Sequence, residues 1–255
     1  ANGVGVGAIG SGVAALSLGT SGVVFAAADR PVVEPEGRLH AFCHAVPDTW
    51  HLMGVMLSAA GSLSWFRDGI AAHLDYEDLD RLADDVPAGS GGLVFLPYLS
   101  GERTPHPDPL ARGAFVGLTT RHGLGHLARA VMEGVAFGLR DSVELMAGLI
   151  DLGEVRASGG GSESAAWLQI VASVLGRPIR VVSTTESAAH GAALLAATGI
   201  GGFGSVQEAC DAAVVLGPLV EPTGDTAVYE DAYGIYRDLY PALVDGLHRL
   251  SAMEA

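Results

Sequence analysis

Apolar residues run through this chain in short blocks whose spacing changes along its length. Ala14 to Leu18 and Val23 to Ala27 are compact apolar runs, which predicts two strands, and the Gly19-Thr20-Ser21-Gly22 stretch between them fits a tight hairpin. Leu39 to Val46 and Thr49 to Leu57 predict two further strands that turn at Pro47-Asp48. Ser58 then stands at the cap position of a helix whose apolar face uses Leu63, Phe66 and Ile70. Tyr76 to Val86 is rich in Asp and Glu and predicts a solvated amphipathic helix, followed by a loop from Pro87 to Gly92. Ahead of the first strand, the small residues from Ala1 to Gly12 suit a tightly packed helix or a glycine-rich turn.

The second half changes period. Leu93 to Leu99 reads as a buried strand entering a loop, and Gly113 to Leu118 as another strand. Leu127, Val131, Val135, Leu139, Val143 and Leu145 or Met146 then recur near a 3.6 period, so Gly125 to Ile150 predicts the longest uninterrupted helix. Val155 to Ser158 predicts a strand ending in Gly159-Gly160-Gly161-Ser162-Glu163-Ser164, with a helix from Ala165 to Leu175 directly after it. A strand at Ile179 to Val182, a helix at Ser187 to Thr198 and a helical region near Val206 to Ala213 follow. The last predicted element is a helix from Ala227 to Met253, interrupted at Pro241.

Composition narrows the classes of partner. The 255 residues, 49% of them hydrophobic, can bury a real core as one large or two ordinary domains. A formal net charge of −15 argues against nucleic acid and anionic membranes, both of which are bound through an excess of Lys and Arg. No stretch of apolar residues is long enough to span a bilayer. Cys43 and Cys210 are isolated in sequence, which predicts buried thiols in a reducing cytosol and hence a cytoplasmic protein. His40, His44 and His51 fall in the first sheet without an H-E-x-x-H pattern or paired carboxylates, so no metal site is expected from them.

Two glycine-bearing turns carry candidate chemistry. Glycine at both ends of the Gly19 to Gly22 hairpin allows close approach of a ligand, while its N–H groups and the Thr20 and Ser21 hydroxyls are donors of the kind that cradle phosphate. The same residues also make an ordinary hairpin. A strand, a glycine turn and a helix N-terminus, as at Val155 to Ala165, is a general arrangement for seating a nucleotide, because glycine leaves room for a flat base and the helix offers free N–H groups. The loop Gly101-Glu102-Arg103-Thr104-Pro105 holds adjacent opposite charges, which fits either a cleft or a loop pinned by its own side chains.

An antiparallel strand set followed by helix, strand, helix, strand and helix is the order of the ribonuclease H-like domain of actin-like ATPases, a mixed α/β sheet flanked by helices. Leu16-Ser17-Leu18-Gly19-Thr20-Ser21-Gly22, the pairing of Gly113-x-Phe115-x-Gly117-Leu118 with His126-Leu127-Ala128-Arg129-Ala130-Val131-Met132-Glu133, and Gly159-Gly160-Gly161 with Ser164 are the motifs by which the chain resembles the C-terminal half of the FGGY carbohydrate kinases. Phe95 to Pro105, Phe42-Cys43-His44-Ala45 and Trp50-His51-Leu52-Met53 make it most similar to the xylulokinases within that family.

The resemblance implies ATP-dependent phosphorylation of D-xylulose with Mg²⁺. It assigns Gly19, Thr20, Ser21 and Gly22 to the ATP phosphates and Gly159, Gly160, Gly161 and Ser164 to the adenosine, with Gly117, Glu102, Arg103 and Thr104 as cleft residues. A complete member of the family has an N-terminal domain that carries most of the sugar site. Its catalytic base is an aspartate just ahead of the glycine-rich stretch that here begins at Ala1. The resemblance therefore implies no catalytic residue within residues 1–255, the N-terminal half as a partner, and an inactive chain when isolated; homodimer formation is left open. A kinase for ribulose, gluconate or glycerol, and a non-kinase nucleotide-binding regulatory module of the same fold, are the alternatives.

Overall fold

The computed structural model describes residues 1–184 and 186–253. A single turn of helix, α1 (Asn2–Gly5), leads into β1 (Val13–Leu18), which pairs antiparallel with β2 (Gly22–Ala28) so that Leu16 stands opposite Val24. β3 (His40–Cys43) and β4 (Trp50–Met56) extend this sheet antiparallel from β2. After α2 (Ala60–Gly69) and α3 (Tyr76–Asp84), the short strands β5 (Val94–Leu96) and β6 (Ala114–Val116) pair with each other as a separate two-stranded sheet. α4 (Leu124–Ala147) then crosses to β7 (Glu154–Ser158), and α5 (Ala165–Leu175) leads to β8 (Ile179–Val182). α6 (Ser187–Gly199), α7 (Val206–Ala213), β9 (Leu216–Val220) and α8 (Thr226–Ser251) complete the chain. The large sheet is mixed, with strand order β3-β4-β2-β1-β7-β8-β9: β7 runs parallel to β1 and β8 to β7, while β9 returns antiparallel.

The helical period read from the sequence explains the main core. Along α4, Ala128, Val131, Val135, Leu139, Val143 and Met146 are buried in one core cluster with Leu16, Leu18 and Leu52 of the sheet and with Trp167 and Val171 of α5. Gly134 faces β5 so closely that a Cβ there would lie 2.3 Å from the Phe95 carbonyl oxygen, so only glycine fits this helix–strand contact. A smaller cluster on the other face joins Val4, Leu194 and Cys210 of α1, α6 and α7.

Several sequence expectations are corrected by the structure. Ser58 does not cap α2 with its side chain; the backbone N–H groups of Ala59, Ala60 and Gly61 donate to the Thr20 and Gly19 carbonyls at 2.9–3.0 Å, and these satisfy the helix start. Ile70 lies beyond the helix end and is exposed, because Leu63 and Phe66 already fill the apolar face. β3 is shorter than predicted and forms an exposed edge, which leaves Cys43 exposed while Cys210 is buried. β9 was not expected, since its Gly217-Pro218 and exposed Leu216 and Leu219 lack a strand alternation; it is an edge strand, where proline is tolerated.

Pro241 does not interrupt α8 either. Tyr229, Tyr233, Tyr236 and Tyr240 before it and Leu247 after it are all buried, and packing on both sides outweighs the lost hydrogen bond. The loop after β5 is tied to this helix by Asp108, whose carboxylate accepts from the Tyr240 hydroxyl and pairs with His248 Nε2 at 2.6 Å. No helix among the described residues is long and apolar enough to cross a membrane.

Candidate functional site

Because β1 and β7 are parallel neighbours, with Ser17 level with Ser158, the hairpin after β1 and the glycine turn after β7 leave the sheet side by side at its carboxyl edge. That is where ligands of open α/β sheets gather. A cavity of about 650 Å³ opens there. Leu18, Gly19 and Thr20 line it from the hairpin, Ala60, Leu63 and Ser64 from α2, and Tyr76, Glu77 and Asp80 from α3. Gly160, Gly161, Glu163, Ser164 and Trp167 complete it from the turn entering α5.

Each wall is fixed by local chemistry. The hairpin is held by the three α2 amides that its carbonyls accept. In the glycine turn, the Ser162 N–H and hydroxyl both donate to the Gly159 carbonyl, at 2.9 and 2.6 Å. Ser164 caps α5, its Oγ accepting from the Trp167 N–H at 3.0 Å, and the indole of Trp167 donates to the Met132 carbonyl of α4 at 3.0 Å. The third wall starts with a capping box in which Asp75 accepts from the Asp78 N–H at 2.8 Å, setting the phase that turns Tyr76 and Asp80 toward the cavity. Tyr76 and Ser64 hydroxyls meet at 2.8 Å and join α3 to α2.

The structure gathers some of the sequence-predicted residues and separates others. Gly19, Thr20, Gly160, Gly161 and Ser164 all face the cavity, and a Cβ at Gly160 would meet nothing within 4 Å, so that position is floor rather than packing. Ser21 is exposed at the hairpin tip. Gly22 is buried, where a Cβ would lie 2.6 Å from Met56, and Gly159 packs under the backbone of Leu18. Glu102, Arg103, Thr104 and Gly117 do not line the cavity. Gly117 has φ +96° and sits against the Gly92 carbonyl, a backbone constraint. Thr104 donates to the Arg38 carbonyl at 2.9 Å and accepts from the Val55 N–H at 3.2 Å, pinning its loop beside β4.

Sequence reasoning missed Ser64, Tyr76, Glu77, Asp80, Glu163 and Trp167. The signal lay in the Asp75-x-x-Asp78 box, which fixes the start of α3 and thereby which of its polar residues share one face. These residues make the cavity acidic: Glu77, Asp80 and Glu163 line it, and no Lys, Arg or His does so among the described residues. Burial pushes the Asp80 carboxyl above its ordinary range, and Asp84 and Glu77 add to this, while the Ser164 hydroxyl pulls it back.

Two other buried acids brace the fold and give it a pH signature. Glu102 Oε1 accepts from the Leu57 N–H at 3.0 Å and the Arg103 N–H at 2.7 Å, Oε2 has no partner, and burial pushes the carboxyl up to about 8. Asp141, buried on α4 beneath the Tyr233 hydroxyl at 2.7 Å, is pushed up to about 7 by its burial. An acid that keeps its proton in the fold but loses it on unfolding makes stability fall as pH rises from the ordinary carboxylate range to the folded value. Above pH 7 this slope belongs mainly to Glu102. Glu102→Gln is therefore expected to flatten the decline of the melting temperature between pH 7 and 8.5. Parallel curves for the two proteins would show that the carboxyl is already ionised in the fold.

Against known proteins, residues 14–200 match the family model for the C-terminal domain of the FGGY family of carbohydrate kinases. The chain is 38% identical to a xylulose kinase of Staphylococcus epidermidis over 242 residues, covering 92% of this chain and 49% of that protein. It superposes on the ligand-bound xylulose kinase of Lactobacillus acidophilus with a TM-score of 0.88 at 30% identity, covering 98% of this chain and 51% of that one. The gluconate kinase of the same organism gives a TM-score of 0.88, 30% identity, and coverage of 97% and 50%. The chain thus spans about half the length of the relatives it matches.

Proposed function

The chain belongs to the FGGY family of carbohydrate kinases, and from that premise we propose that it is the nucleotide-binding half of an enzyme that transfers the γ-phosphoryl group of ATP to D-xylulose. The observation that carries the reading is the pair of glycine turns leaving parallel β1 and β7 into one cavity. Gly19 and Thr20 take the phosphates, since the Thr20 hydroxyl is a donor on a hairpin that α2 holds rigid. Gly160 leaves the floor bare for the nucleoside while Gly161 packs against Leu18, and the carboxylates of α3 and of the α5 entry keep the phosphates away from that side by repulsion. Mg²⁺ entering with ATP supplies the positive charge for the phosphate oxygens that this wall lacks.

The base that takes the sugar proton is placed outside residues 1–255. Within the described residues the buried acids have structural duties: Glu34 pairs with Arg38, Glu133 pairs with Arg129, Asp141 accepts from Tyr233, and Glu102 holds two backbone amides. The two Lactobacillus acidophilus enzymes superpose equally well on this half, so the choice of sugar is assigned to the rest of the protein. D-Xylulose is preferred because the xylulose kinase relatives match the chain at up to 44% identity, against 31% for a gluconokinase.

The test is ADP release by the intact enzyme with D-xylulose, D-ribulose, D-gluconate and glycerol. The expected result is the highest kcat/KM for D-xylulose, with xylulose 5-phosphate as product. A preference for another member of the panel would reassign the substrate. No sugar-dependent ADP release would favour a regulatory nucleotide-binding module.

A further inference from the structure

Asp80 lines the cavity with an acceptor that charge repulsion alone does not use. It projects from α3 into the cavity wall beside Ser164, and its Oδ1 is buried with no hydrogen-bond partner. It is not needed for the helix, since Asp75 and Asp78 form the cap and Arg81 pairs with Asp78. A carboxylate oxygen shielded from water and unpaired is costly. Such an acceptor is satisfied when a ligand brings an N–H or O–H to it.

The ligand's polarity decides which end reaches it. Phosphate oxygens carry only acceptors and negative charge, so Asp80, with Glu77 and Glu163 beside it, repels them toward the hairpin. The nucleoside end of the same ligand offers the donors an acceptor needs: the exocyclic amine of the base and the ribose hydroxyls. We propose that Asp80 is a specificity-determining residue of the nucleotide site, accepting a hydrogen bond from a donor on the nucleoside of a purine nucleoside triphosphate. The proposal rests on the assignment of this cavity to the nucleotide. It adds a discrimination that neither glycine turn can supply, because bare backbone leaves room for any base or sugar, whereas an unpaired acceptor rejects a ligand that lacks its donor.

The experiment compares Asp80→Ala with the unsubstituted intact enzyme by calorimetric titration with four Mg²⁺ nucleotides: ATP, purine riboside triphosphate without the amine, 2′-deoxy-ATP and 3′-deoxy-ATP. The substitution is expected to weaken ATP about tenfold or more, as for hydrogen bonds to charged groups. The loss should vanish for the one analogue that lacks the donor, which separates the amine from the two hydroxyls. Equal losses on all four nucleotides would make Asp80 a structural residue and overturn the proposal. So would ATP affinity unchanged, or raised by removal of a negative charge. Thr20→Ala serves as the control for the site itself. If it leaves ATP affinity unchanged, the assignment of the cavity fails independently of Asp80.

Discussion

Replacing Arg129 with alanine is expected to cost about 3–5 kcal/mol of folding stability, the usual loss when one partner of a buried ion pair is removed. Arg129 and Glu133 lie one turn apart on α4, both buried, with the guanidinium Nε 2.8 Å from Glu133 Oε1. The other guanidinium nitrogens donate to the Ala83 carbonyl at 3.1 Å and to the Tyr229 hydroxyl at 2.9 Å. Glu133 in turn accepts from the Gly89 N–H at 3.0 Å and from the Ser90 hydroxyl at 2.7 Å. Burial pushes the Glu133 carboxyl up and these donors pull it back, so without the guanidinium the acid is left partly unpaired in the core. The pair also ties the C-terminal end of α3 and the 89–90 turn to α4, so the α3 wall of the cavity should loosen with it. Urea unfolding measures the loss. Arg129→Met combined with Glu133→Leu, which removes both charges, should cost much less than Arg129→Ala alone. A loss below about 1 kcal/mol for Arg129→Ala would place the pair in the class of weak surface salt bridges.

The same pair shows what was legible in the sequence. Its residues belong to the motif that carries the family resemblance, yet their work is inside the fold rather than at the cavity. The 3.6 period of α4 and the apolar runs of β1, β2 and β4 were readable because deeply buried elements carry dense apolar residues along their length. Both glycine turns were readable from composition, and Gly159 with φ +93° is the position among them where the backbone itself favours glycine. β9 and the run of α8 through Pro241 were not, since an exposed edge strand has no alternation and long-range packing overrides a local breaker. Asp80 and Glu77 were hidden for a different reason. On a solvated helix an acidic residue facing water and one facing a cavity look alike, and only the placement of α3 against α2 and α5 separates them. Glu102 and Thr104 stood out by composition as cleft residues, but their side chains bond to backbone amides and carbonyls of their own half.

The second large effect is expected at Gly160, where Leu should fill the space assigned to the nucleoside. The position tolerates a side chain structurally: its φ is not in the left-handed region, and a Cβ there meets nothing within 4 Å. Thermal stability should therefore stay near that of the unsubstituted protein. Gly160 lines the cavity together with Gly19, Thr20, Ser64 and Asp80, so an added isobutyl group is expected to take up part of that space. Overpacking of this kind costs about 1–3 kcal/mol, which corresponds to a loss of affinity of about 5- to 100-fold. Titration of ATP and Mg²⁺ into the intact enzyme with and without Gly160→Leu is the most direct test that the nucleotide lies between the hairpin and the glycine turn. The account predicts an unchanged melting temperature and a Kd weaker by about 5- to 100-fold, whereas equal affinity in a folded variant would put the nucleotide on another surface.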